Sequence, residues 1–208
     1  LLNKFCKGDP KLAKLQKYLL DFGFHDIVYR ELIKFKHTNY DESFKYYNSK
    51  DIYRTAALLR MIANCICSKV LEPRFSTVHF LSFCEQNYSM DDHAIEDQKW
   101  LLILAFCTKG FAPNLLNFVF SAVDVLHTAK DKFFLCHYFA LMFLSQMLRF
   151  TTETEELLMA TDIIPLLITI MFKFYHSCFF QSSFRKFILS SIRKEKIICD
   201  IVQFFMPA

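Results

Sequence analysis

The sequence predicts an all-α protein, a right-handed superhelical solenoid of about four to five repeats running through residues 1–208 as a single array. Three observations predict it. The composition is 53% hydrophobic and 17% aromatic, with only 3 Gly and 5 Pro. So few breakers leave little room for the tight turns of an all-β chain or the glycine loops of nucleotide-binding α/β folds. Apolar residues recur at three- and four-residue steps, the spacing of amphipathic helices. Finally, one pattern returns at long range, in LRMIAN (59–64), WLLILAFC (100–107), FALMFLS (139–145) and FRKFIL (184–189). Each sets a large or cationic residue four positions before Asn64, Leu104, Phe143 or Leu189, and these fall 40, 39 and 46 residues apart. Positions four apart share a helix face, and about 40 residues is the period of armadillo and HEAT solenoids.

The elements follow in order. Leu12, Leu15 and Leu19 mark a helix over 11–20, broken at Gly23. Asp26 can cap a second helix over 27–35, and the polar stretch 37–42 reads as a loop. Ser49 or Asp51 opens a long helix to Cys67, with Ile52, Ala56, Leu59, Ala63 and Ile66 facing inward. Glu72-Pro73 ends that unit. A short helix over 78–83, a polar loop at 87–92 and a helix over 94–107 capped by Asp91 or Asp92 come next. Gly110 and Pro113 mark a break, with Pro113 near the first turn of a helix over 114–126. A helix over 132–150 and a short one over 155–160 follow, then a start at Asp162 with Pro165 in the first turn. Helices over 166–174, 180–192 and 195–205 complete the chain. The repeating order is short helix, helix, long helix, with 51–67, 95–107, 132–148 and 180–192 expected side by side as an inner layer.

Several function classes lack a signal. The net charge is +4 with the basic residues scattered, which offers no electrostatic footprint for nucleic acid. The longest apolar run, 163–172, is shorter than the roughly 20 residues a bilayer requires, so no membrane is expected. Eight Cys lie mostly within apolar helical runs without a CxxC pair, the pattern of reduced thiols in a cytoplasmic or nuclear protein. Cys136-His137 and His176-x-Cys178 lack a second ligand pair, so no metal or cofactor is expected. No GxSxG, HExxH or phosphate-cradling loop is present, and an enzyme is not expected. The first residues lack the layout of a signal peptide, and the absence of an initiator Met suggests a fragment or processed chain. Apolar stripes in 1–20 and 195–206 suggest a continuing array or a partner at the ends.

Within this frame, EDQKWLLILAFCTKGFAP (96–113) resembles the importin-alpha armadillo segment in which a Trp-anchored helix runs into a Cys-basic-Gly-Pro loop. CHYFALMFLS (136–145) is similar to that family's next signature helix, with Phe139 where Trp is usual. EELLMATDIIP (155–165) resembles the entry to the following unit, and LRMIAN and FRKFIL resemble a variant signature helix. The resemblance covers about four repeats, from Asp51 to Ile192. It implies an adaptor whose third helices line a groove for basic nuclear-localisation peptides. Trp slots there hold Lys and Arg stems, and Asn clamps the peptide backbone, through cation–π contacts and amide hydrogen bonds.

Carried over by position, the slots are Arg60, Trp100, Phe139 and Arg185, and the clamps Asn64, Leu104, Phe143 and Leu189. Only Trp100 and Asn64 keep the groove chemistry. The peptide-binding candidates are therefore Asn64, Trp100, Phe139, Phe143 and Arg60, with Glu96, Asp97, Glu153, Glu155 and Glu156 as acids near the groove ends. Each has a plainer reading beside the functional one. Trp100, Phe139 and Phe143 fit core positions, Asn64 fits an inter-helix hydrogen bond, and Arg60 a solvated face. Two functional expectations follow: an importin-alpha-like adaptor acting in cytoplasm and nucleus, or an armadillo/HEAT scaffold, such as a phosphatase regulatory subunit, without that groove.

Overall fold

A computed structural model describes residues 10–38, 49–68, 70–85, 93–192 and 194–205, and every regular element among them is helical. The chain divides into two compact units, residues 1–109 and 110–208. Of the expected loop at 37–42, residues 37 and 38 are helical and the rest lies outside the described residues, as do the loop at 87–92 and the caps at Asp91 and Asp92.

The first unit holds α1 (Pro10–Asp21), α2 (Phe24–Thr38), α3 (Ser49–Cys67), α4 (Glu72–Phe75), α5 (Val78–Leu81) and α6 (His93–Phe106). Gly23 separates α1 from α2 with φ of 70°, a left-handed conformation that strains any side chain with a Cβ. Asp26 does not cap α2, because the helix begins at Phe24, one residue past that glycine, and Asp26 falls in its first turn. The most extensive packing in the unit joins α3 to α6. Ala56, Leu59, Ala63 and Ile66 are buried as the spacing predicts, with Ile62 alongside them, while Ile52 stays half-buried near the helix start. A second cluster is aromatic: Phe75 stacks on Phe80 at 5.1 Å, and Tyr29 of α2 meets Phe80 edge-on at 5.7 Å. Buried Gln16 of α1 accepts a hydrogen bond from Ser68 Oγ, just past α3, at 3.2 Å.

Helix α6 ends in a π turn, Cys107–Phe111, followed by a 3-10 turn, Ala112–Leu115. Gly110 has φ of 91°, so the expected break is real and glycine is the residue that permits it. Pro113 sits in the 3-10 turn rather than the first turn of the next helix. Lys109 closes this end by reaching Glu72 of α4 at 2.9 Å. The pair is about a quarter to a third exposed, a setting in which such contacts contribute at most about 1 kcal/mol.

The second unit holds α7 (Phe118–His127), α8 (Leu135–Phe150), α9 (Glu153–Met159), α10 (Ile163–Lys173), α11 (Cys178–Ser191) and α12 (Glu195–Phe205). Helices α9, α10 and α11 run 7, 11 and 14 residues, the short, medium, long order read from the sequence. Again the heaviest packing joins the long helices, α8 and α11, and α7 also packs on α8. The direction of α8 and α11 is the same. Near their starts Tyr138 meets Phe179 at 5.8 Å, and near their ends Arg149 and Phe150 line one groove with Leu189 and Ser190. Tyr138 and Phe179 are 41 residues apart, so the offset between the two helices is 41 and not the 46 that the Phe143–Leu189 recurrence indicates.

Two joints rest on polar groups. His137 is fully buried between α7 and α8. Its Nδ1 accepts from the Phe134 N–H at 3.0 Å, which leaves Nε2–H to meet Thr128 Oγ1 at 3.0 Å. The Thr128 hydroxyl in turn donates to the Val125 carbonyl at 2.7 Å. One neutral imidazole thus closes the end of α7 against the start of α8. At the other joint Glu155 of α9 accepts from the Lys196 N–H at 3.1 Å, capping α12 from a separate helix. Asp162 precedes α10 without a side-chain cap bond; its carboxylate faces His127 at 3.0 Å instead.

Replacing His137 with Ala strands the Phe134 amide and opens a cavity. The expected cost is about 2–3 kcal/mol, read as a lower urea midpoint with an unchanged slope.

Candidate functional site

In the first unit the predicted groove residues divide between inside and outside. Trp100 does not present an open indole: it is 1% exposed, in the packing between helices. Its Nε1–H donates to Glu96 Oε1, one turn earlier on α6, at 2.8 Å. Lys99 Nζ stands 4.0 Å from the same oxygen. The physical reason is mutual need. A buried indole N–H requires an acceptor, and a carboxylate as buried as Glu96 requires donors and a cation. The aromatic expected to form a slot and an acid expected to attract the peptide therefore satisfy each other in the interior. Asn64 is half-buried on α3, and its amide makes no hydrogen bond among the described residues; Arg60 on the same helix is exposed.

In the second unit Phe143 is fully buried, so it is a core residue and not a groove residue. Phe139 is half-buried beside Tyr138, ring centroids 5.3 Å apart. The acids are engaged as well. Glu155 caps α12, and Glu156 lies 4.0 Å from Lys196 Nζ. Glu153 is fully exposed at the start of α9; bonding to its own backbone N–H and to the Thr152 hydroxyl holds its carboxyl below the usual range. Slot, clamp and acid are thus not assembled on one surface in either unit.

What the fold does assemble is a groove along the C-terminal halves of α8 and α11. It encloses about 680 Å³ and is lined by Arg149, Phe150, Lys186, Leu189, Ser190 and Lys194 among others. Arg185 borders an adjoining depression on α11, again with Lys186 and Leu189. None of these four cations forms an ion pair among the described residues. Phe150 and Leu189 are 55% and 57% exposed, large apolar surfaces placed among the charges. These residues look scattered in the linear sequence. The signal that unites them is the 41-residue register: it sets Arg149 opposite Ser190, one helical turn beyond Lys186.

The thiols divide between interior and surface. Cys84 and Cys107 are buried in apolar surroundings that raise both thiols, Cys107 to about 12. Cys67 is also raised, chiefly by desolvation, although it is exposed like Cys178 and Cys199. No group of three or more His, Cys, Asp or Glu suited to a metal ion occurs among the described residues. His137 is held by Phe134 and Thr128 through both ring nitrogens, so its neighbour Cys136 gains no ligand partner from it. No single described helix is long and apolar enough to cross a membrane. No family model, curated protein or solved structure matches this chain significantly.

Two measurements check this arrangement. Trp100→Phe keeps the ring but strips Glu96 of its indole donor, with an expected loss of about 1–3 kcal/mol in chemical denaturation. The buried thiols give a pH signature. An unfolded thiol ionises near 9.0, whereas folded Cys107 keeps its proton to about 12. Between those values the folded state binds more protons, so stability falls as pH rises through that window. Cys107→Ala should flatten that alkaline slope, and Cys178 and Cys199 should alkylate long before Cys84 or Cys107.

Proposed function

We propose that the chain is a non-enzymatic, protein-binding scaffold of the armadillo/HEAT kind, without the slots that recognise a basic nuclear-localisation peptide. The observation that carries it is the pairing of long helices. In the second unit α8 and α11 run in the same direction at a 41-residue offset, with a short and a medium helix between them. Same-direction packing of every third helix is what a three-helix repeat produces, and α3 with α6 gives the corresponding long-helix contact in the first unit. Such stacks expose one long-helix face per repeat as a binding surface.

The importin-alpha-like reading has less support. It draws on Asn64, Arg60 and half-buried Phe139, but Trp100 and Phe143 are interior and Glu96 is committed to Trp100. The cations on α8 and α11 would repel a lysine-rich segment. The buried thiols accord with a reducing compartment, and cytoplasm and nucleus stay part of the proposal.

The test uses the whole chain. A labelled lysine-rich extended peptide should show no saturable anisotropy change, and Asn64→Ala should alter nothing; micromolar binding lost in that variant would restore the adaptor reading. Peptides selected from a random library should protect α8 and α11 from hydrogen exchange. Protection confined to α7 and α10 would overturn the long-helix face as the working surface.

A further inference from the structure

We propose that the α8–α11 groove docks an acidic, extended segment of a partner protein, with a large apolar side chain set between its carboxylates. This rests on the scaffold reading above and adds the chemistry of the partner.

Charge decides the sign of the ligand. Arg149, Lys186 and Lys194 line the groove, with Arg185 one position before Lys186. Both helices also end there, and each C-terminus carries about half a negative charge. Two such ends amount to about −1, against three full cations in the lining. Glu153 is the acid whose field meets that of Lys194, while Glu155 and Glu156 are engaged with Lys196. No carboxylate is in the lining of the groove, which stays positive once the two helix ends and Glu153 are counted against its three cations.

The uncharged lining points to a peptide. Phe150 and Leu189 offer exposed apolar surface for one anchoring side chain. Gln146 and Ser190 line the same groove, and their side chains make no hydrogen bond among the described residues. An amide and a hydroxyl can pair with the donors and acceptors of an extended backbone. Ser145 offers no donor to them, since its hydroxyl already donates to the Leu141 carbonyl at 2.8 Å and the residue is buried. Nucleic acid fits less well. A phosphate backbone is read by a track of cations along its length, whereas these cations gather at one end of two helices around an apolar centre. A membrane surface would favour an apolar face over a recessed groove.

The experiment measures anisotropy of a fluorescein-labelled peptide of alternating Glu and Asp around a central Phe, added to the full chain. Its Gln/Asn counterpart, oligothymidylate and phosphatidylserine vesicles serve as the other probes. Saturable binding of the acidic peptide, weakened by salt and absent for the neutral counterpart, is expected. Arg149→Glu with Lys186→Glu should weaken it roughly tenfold or more, as two surface contacts turn from attraction to repulsion. The milder Arg149→Gln with Lys186→Gln should move it the same way, in case the reversal disturbs folding. An equal change of charge at exposed Lys130 and Lys132 should have little effect. Equal loss from both reversals, equal binding of the neutral peptide, or tighter groove-dependent binding of oligothymidylate or vesicles would overturn the proposal. If library peptides protect α8 and α11 but the acidic probe does not bind, this inference falls and the scaffold reading stands. If neither occurs, both fall.

Discussion

Everything in the second unit depends on one constraint: α8 must bury a wide apolar face against two neighbours at once. Ala140, Leu141, Phe143, Leu144, Met147 and Leu148 are all essentially inaccessible, more than a single partner helix can cover. Helices α11 and α7 both pack against α8. Hydrophobic burial is non-directional, so something else must set the angle and register. Here His137 and Thr128 hold the α7–α8 joint, and the aromatic contacts of Phe133 with Phe180 and Tyr138 with Phe179 hold the start of α11. Polar and aromatic geometry gives the greasy interface a single solution.

That solution has a consequence for the surface. Two helices packed in the same direction bring their C-terminal ends together, and with them the carbonyl groups left without intrahelical partners. Cations placed there are favourable to the fold itself through the helix dipoles. The same placement leaves more positive charge than the helix ends neutralise. A feature that begins as helix-end stabilisation thereby becomes a surface with a preferred ligand charge. For Arg149, in the last turn of α8, a stabilising role at the helix end and a part in the proposed docking do not conflict, because a guanidinium can face a carbonyl and a carboxylate at once.

The first unit uses its chemistry differently. Its single Trp is spent in the interior, where the indole and Glu96 remove each other's desolvation cost. An aromatic in a signature-like helix thus serves packing when a carboxylate lies one turn before it. The i, i+4 relation of Glu96 and Trp100 is visible in the sequence, and it was open to two readings. Acid beside Trp could mean a cation slot with attracting charge or a self-satisfied buried pair.

The sequence by itself determined the helical class and most helix positions, but not the register between α8 and α11, which is 41 residues and not the 46 of the Phe143–Leu189 recurrence. Class and positions depend on local periodicity and on breakers such as Gly23 and Gly110, whose φ values of 70° and 91° are local properties of the backbone. Helix α3 runs from Ser49 to Cys67 and α12 from Glu195 to Phe205, both as the apolar spacing indicates. Tertiary structure alone decided which way each face turned. Trp100, Phe143 and Phe139 share one apolar pattern, yet the first two are interior and the third half-buried, because burial depends on which neighbours arrive from 40 residues away. The groove was hidden for the same reason. Arg149 and Lys186 lie 37 residues apart in the chain, and only the parallel packing of α8 on α11 brings their charges to one place.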